Sequence, residues 1–193
     1  MTNIAIFASG TGTNAENIIR YFKDSDKVRV AFVLVDNPTA QARERAKNLG
    51  VPTFIRMRPE FKEPTLIMPL LDLYQIDLIV LAGSLIFLPE YLTSRYDHRI
   101  LNIHPSLIPS FCGQGYYGLK VHEAALKKGV KVTGATVHFV NEIPDGGEII
   151  AQKAVYVEDG DTPETLQKRV MEQAEWIILP QSVEKIAKQI INS

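Results

Sequence analysis

Asn102 and His104 stand two positions apart in the run Ile100-Leu101-Asn102-Ile103-His104-Pro105-Ser106. On an extended chain alternate side chains share a face, so this amide and imidazole point the same way. Pro105 disfavours helix at His104 and brings no backbone donor, so the strand should stop there. The plainer alternative is a satisfied buried pair. Further along, His138 and Asp145 add a second imidazole and a carboxylate. Such a set suits direct acyl transfer. Asn102 offers an amide donor to a developing oxyanion, and a protonated His104 offers a charged one. Asp145 would stabilise that imidazolium and receive a proton from an attacking amine, directly or through water. A carboxylate neighbour favours the charged imidazole and burial opposes it, and the sequence leaves that balance open.

Other chemistries fit less well. The two histidines and the aspartate are scattered, no HExxH-type run is present, and no metal is expected. There is no GxSxG elbow, and Cys112 sits in a glycine-rich loop without an activating neighbour, so no covalent nucleophile is expected.

The elements that position these residues read as alternating strands and helices. Asn3 to Ala8, Val28 to Val35 and Asp77 to Gly83 are continuous apolar runs of the kind that forms buried parallel strands. Val51 to Ile55 is a shorter strand candidate. Apolar spacing at Ile18, Ile19 and Phe22 predicts a helix, as do the runs 41–50, 66–74 and 119–128. His122 and Lys120 on the last of these are expected at its solvated side or rim. Lys131 to Val140 forms a strand with Thr136 and His138 on one side. Glu148 to Val157 follows after too short a connection for a helical crossover and is expected antiparallel. Thr162-Pro163-Glu164 is a helix start. The pattern predicts an α/β, Rossmann-like, mostly parallel twisted sheet with helices on both faces and an antiparallel C-terminal strand.

In such sheets ligands bind beyond the carboxyl ends of the strands. The first strand runs into Ser9-Gly10-Thr11-Gly12-Thr13-Asn14 and then a helix. Glycines allow close backbone approach, and the helix start presents N–H groups to an anion. A third glycine in register is missing, which favours a small phosphate over a dinucleotide. Asp36 ends the second strand, as a ribose-hydroxyl acceptor or as a solvated turn residue. Arg56 and Arg58 follow the third strand and are candidates for an anionic ligand. The apolar segment after Gly83 can line a pocket for a flat ligand or pack on the core.

Asn102-Ile103-His104-Pro105-Ser106-Leu107-Ile108-Pro109, together with Thr133-Gly134-Ala135-Thr136-Val137-His138 and Asp145-Gly146-Gly147, resembles the hallmark of the folate-dependent formyltransferases. The resemblance covers roughly residues 3–180 and rests on the motifs in combination. It implies formyl transfer from 10-formyltetrahydrofolate, with glycinamide ribonucleotide as the acceptor in purine biosynthesis. It places catalysis on Asn102, His104 and Asp145, supported by Thr136 and His138. Acceptor binding falls on Gly12, Thr13, Asn14 and Glu175. Folate binding falls on Arg56 or Arg58, on Leu85, Ile86, Phe87 and Leu88, and on Ile143 and Pro144. Two features depart from the family pattern. Ser84, Leu85 and Ile86 stand where many members carry an aromatic residue and then an arginine, and the Cys112–Gly118 loop is longer than the commonest form.

Bulk properties bound this reading. A chain of 193 residues, 46% hydrophobic and 22% charged, can bury one good core and is expected to form a single domain. The N-terminal half would bind the ribonucleotide and the C-terminal half would carry catalysis and folate. The net charge of -1 gives no general attraction to nucleic acid, and an RNA substrate is not expected. No apolar run approaches spanning length, the start does not read as a signal peptide, and the single cysteine fits a reducing compartment. A cytoplasmic monomer or homodimer is expected. The alternatives are formyl transfer to another small amine, hydrolysis of the formylfolate, or a non-catalytic nucleotide- or folate-binding module.

Overall fold

The computed structural model describes residues 1–192. Seven strands form one sheet in the order β3-β2-β1-β4-β5-β6-β7. They are β1 (Thr2–Ala8), β2 (Val28–Val35), β3 (Thr53–Ile55), β4 (Leu78–Leu81), β5 (Ile100–His104), β6 (Val132–Phe139) and β7 (Ile149–Tyr156). The first five run parallel. β6 then runs against β5, and β7 against β6. The expected parallel core and antiparallel C-terminal pairing are both present.

Side-chain parity splits the core into two layers. Ile4, Ile6, Val33, Val80, Leu101 and Ile103 face α1 (Thr13–Tyr21), α2 (Gln41–Asn48) and the C-terminal helices. Ala5, Phe7, Leu34, Ile79, Leu81 and Ile100 face α3 (Pro64–Leu73) and α4 (Glu90–Arg95). Since Leu101 and Ile103 belong to the first layer, Asn102 and His104 must lie on the α3/α4 face. α3 begins with a proline in its first turn and runs through Pro69 without ending. α5 (Leu119–Lys128), α6 (Pro163–Val170) and α7 (Trp176–Asn192) complete the fold, with a π-helical turn, Met171–Glu175, between the last two.

The sheet reverses its winding between β1 and β4, and the crevice there is the expected ligand position. Ser9 N–H donates to Gly83 O across it at 3.3 Å, and Leu85 N–H donates to Ser9 Oγ at 2.9 Å. Gly12 opens α1 at φ 75°, and a Cβ there would lie 2.3 Å from the Ala42 Cα. Only glycine serves at that turn.

Candidate active site

β5 ends at the crevice edge with Asn102 half-buried and His104 buried. The antiparallel register sets Asn102 opposite His138 and His104 opposite Thr136. A register shift between Val137 and His138 marks a bulge beside the site, a common device for re-aiming a side chain. Beyond β6 the chain doubles back so tightly that a Cβ on Gly147 would sit 1.8 Å from Phe139 O. This return carries Asp145, held at a positive φ of 54°, back over Asn102 and His104 of β5 and His138 of β6. A non-glycine residue in that conformation is strained, and such strain concentrates at functional sites.

Asp145 joins the cluster. Its Oδ2 accepts from Gly113 N–H at 2.8 Å and lies 3.5 Å from His104 Nδ1. Its Oδ1 lies 3.4 Å from Asn102 Nδ2 and 3.5 Å from His138 Nε2. The carboxylate can only accept, which fixes the Asn102 amide with its nitrogen toward Asp145. The same nitrogen is 3.1 Å from His138 Nε2, while His138 Nδ1 donates to Phe139 O at 2.7 Å. His104 Nε2 donates to Phe111 O at 2.9 Å, so in the neutral ring Nδ1 is the free base facing Asp145.

Burial decides the balance that the sequence left open. It pushes the His104 pKa down; Asp145 and the Phe111 carbonyl pull it back up, His138 again down, and the net shift is downward. His104 is therefore mainly neutral near pH 7 in the free protein. Burial alone would raise Asp145, but His138, His104 and the Gly113 N–H together hold its carboxyl below the usual range.

Thr136 supports the strand end from beneath. Its hydroxyl donates to Ser106 O at 2.6 Å and accepts from Ile108 N–H at 3.1 Å and Gln152 Nε2 at 3.0 Å. Gln152, on β7, also donates to Ile108 O. Sequence reading missed it, since its role depends wholly on cross-strand register. His122 corrects an expectation: it is fully buried, on the helix face that carries Val121 and Ala125, rather than solvated. Lys120 is exposed as expected.

The acceptor-side candidates form a second group. Asn14 Nδ2 donates to Glu175 Oε2 at 2.5 Å, and Thr13 Oγ1 meets Met171 Sδ at 3.4 Å. The π-helical turn brings Glu175 against the start of α1, and such turns recur at functional sites. Burial raises the Glu175 pKa, with Asn14 opposing. Strand spacing puts the end of β1, where the Gly12–Asn14 turn begins, two strands from β5, roughly 10 Å.

The remaining candidates are spread more widely. Leu85, Phe87, Ile143 and Pro144 are exposed, Leu88 is half-buried, and Ile86 packs into the core. A cleft of about 440 Å³ runs between α4 and residues 140–143, lined by Thr93, Ser94, Asp97, Val140, Asn141, Glu142 and Ile143. Arg56 and Arg58 lie beyond β3, four strand spacings from β5, roughly 19 Å. Arg56 bonds to Leu66 O and Ile55 O, and Arg58 pairs with Asp36. The structure does not bring these arginines to the Asn102–His104–Asp145 cluster. Among the described residues no group of three or more His, Cys, Asp or Glu side chains is placed to hold a metal ion, and no helix is long and apolar enough to cross a membrane.

Fold and site together define an α/β protein with an amide, an imidazole and a carboxylate clustered at the last parallel strand of its sheet. Residues 2–183 match the formyl transferase family model, and the chain belongs to that family. It is 40% identical over 174 residues to the chloroplastic phosphoribosylglycinamide formyltransferase of Arabidopsis thaliana, covering 87% of this chain and 60% of that one. The phosphoribosylglycinamide formyltransferase of Bacillus subtilis is 37% identical, covering 88% of this chain and 87% of its own. The crystal structure of phosphoribosylglycinamide formyltransferase from Anaplasma phagocytophilum superposes with a TM-score of 0.88 at 36% identity, over 97% of this chain and 88% of that one. The chain thus spans less than two thirds of the length of the plant relative and most of the bacterial ones.

Proposed function

We propose that the protein transfers the formyl group of 10-formyltetrahydrofolate to the amine of glycinamide ribonucleotide. The observation that carries the reading is the convergence of Asn102, His104 and Asp145 at one strand end, with an anion-ready turn roughly 10 Å away. The family match supports formyl transfer, and the names of the relatives support the ribonucleotide acceptor.

The acceptor phosphate lies on Gly12, Thr13 and Asn14, with Glu175 beside its sugar. That places the amine near β5. The formyl group enters beside Asn102, whose second N–H makes only the long contact with Asp145 and is exchanged for the formyl oxygen. As the amine attacks, the carbon becomes tetrahedral and its oxygen gains negative charge, which the Asn102 amide meets. The amine proton passes, directly or through water, to neutral His104 at Nδ1. Asp145 then stabilises the imidazolium, which in turn favours the nearby oxyanion. The proton moves on to the folate nitrogen as its bond to the formyl carbon breaks, so charge and protons balance. Exposed Leu85, Phe87 and Ile143 offer apolar surface to the flat donor.

The test is formyl transfer by the purified chain across several amine acceptors. Product with glycinamide ribonucleotide alone establishes the acceptor, and product with a different amine or with water only overturns it. Asn14→Ala should raise the acceptor KM about tenfold or more, the cost of one hydrogen bond to a charged group, and leave the donor KM unchanged. An unchanged acceptor KM would place the phosphate elsewhere.

A further inference from the structure

Asp36 is buried at the carboxyl end of β2, with its side chain 1% exposed. Its Oδ2 accepts from Arg58 Nε at 2.6 Å, but its Oδ1 has no partner among the described residues. It lines a pocket of about 370 Å³ with Ser9, Asn37, Met57, Arg58 and Pro59. A carboxylate has acceptor capacity for about four donors, and Arg58 fills one place. A buried acceptor left unmatched is costly, and in folded proteins such groups commonly await a partner.

The donors around the mouth are uncommitted. Arg58 is 57% exposed, and only its Nε is engaged with Asp36. Asn37 is exposed and uses its Oδ1 to hold Thr39, which leaves its Nδ2 available as a donor. Met57 and Pro59 are exposed beside them. A fully anionic ligand would be repelled by the Asp36 carboxylate at the floor. A neutral diol would not: its two hydroxyls donate inward to the carboxylate while their oxygens accept from Arg58 and Asn37. The carboxyl end of the second parallel strand, beside a glycine turn, is also where α/β folds of this kind hold ribose hydroxyls.

We propose that this pocket is a second binding site that takes a ribonucleoside through its 2′,3′-diol. Arg58 swings outward to admit the sugar, Asp36 receives the hydroxyls, and the base lies on Met57 and Pro59. A 5′-phosphate adds a contact to Arg58 at the rim. The site lies on the far side of β1 from the formyl-transfer crevice and does not depend on the acceptor assigned above.

Amide NMR titration of the full chain tests this. Adenosine should shift the Asn37, Met57 and Arg58 signals saturably. 2′-Deoxyadenosine should bind about tenfold more weakly or worse, because it leaves the buried oxygen unmatched. Asp36→Asn, checked for an unchanged melting temperature, should weaken adenosine by a similar factor. In Arg58→Ala, AMP and adenosine should bind equally, both more weakly than adenosine binds the parent. Saturating glycinamide ribonucleotide should leave the titration unaltered. No saturable shift at millimolar adenosine, equal binding of the deoxy analogue, or displacement by glycinamide ribonucleotide would each overturn the proposal.

Discussion

Asp145→Asn is expected to lower kcat for formyl transfer on the order of 10³-fold while changing the KM of both substrates little. The substitution keeps the shape and the acceptor for Gly113 N–H, which Asp145 now supplies at 2.8 Å. What it removes is the negative charge 3.5 Å from His104 Nδ1. At an effective dielectric of about 20, an imidazolium and a carboxylate at that distance attract by roughly 4–5 kcal/mol, and most of this acts only once His104 has taken the proton. The free-enzyme pH profile carries the mechanism-specific sign. His104 already titrates below its ordinary value because of burial, and Asp145 partly offsets that shift. Without the carboxylate the His104 pKa must fall further. The acid limb of kcat/KM should therefore move to lower pH in the variant even as the plateau drops. A plateau within tenfold of the parent, or a limb displaced to higher pH, would remove His104 as the proton acceptor.

The sequence made half of this cluster legible. Period-two alternation put Asn102 and His104 on one face, and Pro105 marked the strand end, so both could be read locally. Asp145 could be named but not placed. Its approach depends on the β5–β6 register, on the bulge at His138 and on the backbone contact that only Gly147 permits. The Phe111 carbonyl that sets the His104 tautomer belongs to an irregular loop, where no periodicity constrains the path. Glu175 was likewise visible only as a residue, since a π-helical turn changes which face it presents to Asn14. His122 is polar, but its helical neighbours Val121 and Ala125 mark the face it shares as buried. The parallel core was the most legible part, because continuous apolar strands have few other places to go.

His122 makes the folded state sensitive to mild acid. It is fully buried, and neither ring nitrogen has a hydrogen-bond partner among the described residues. Burial, reinforced by the charge His104 carries when protonated, pushes its pKa from 6.5 to about 4. The unfolded chain then binds the proton that the folded chain refuses, so stability falls as pH drops from 6.5 to 4. The window corresponds to about 3 kcal/mol, a large share of the 5–15 kcal/mol typical of a domain. His104, also shifted down, adds to the loss. Glu175, raised by burial, opposes it as its carboxyl regains a proton. Asp145 acts lower, because its contribution is present above the unfolded value of 3.8 and lost only as pH falls through its still lower folded pKa. His122→Leu removes one of these groups at similar volume and leaves no unmatched ring nitrogen. The variant should equal or exceed the parent in stability at pH 7, and its advantage should widen by about 3 kcal/mol by pH 4. Urea unfolding across that range measures the difference directly, provided the m-values agree. A difference that stayed constant with pH would mean that His122 is not the group whose protonation unfolds the chain.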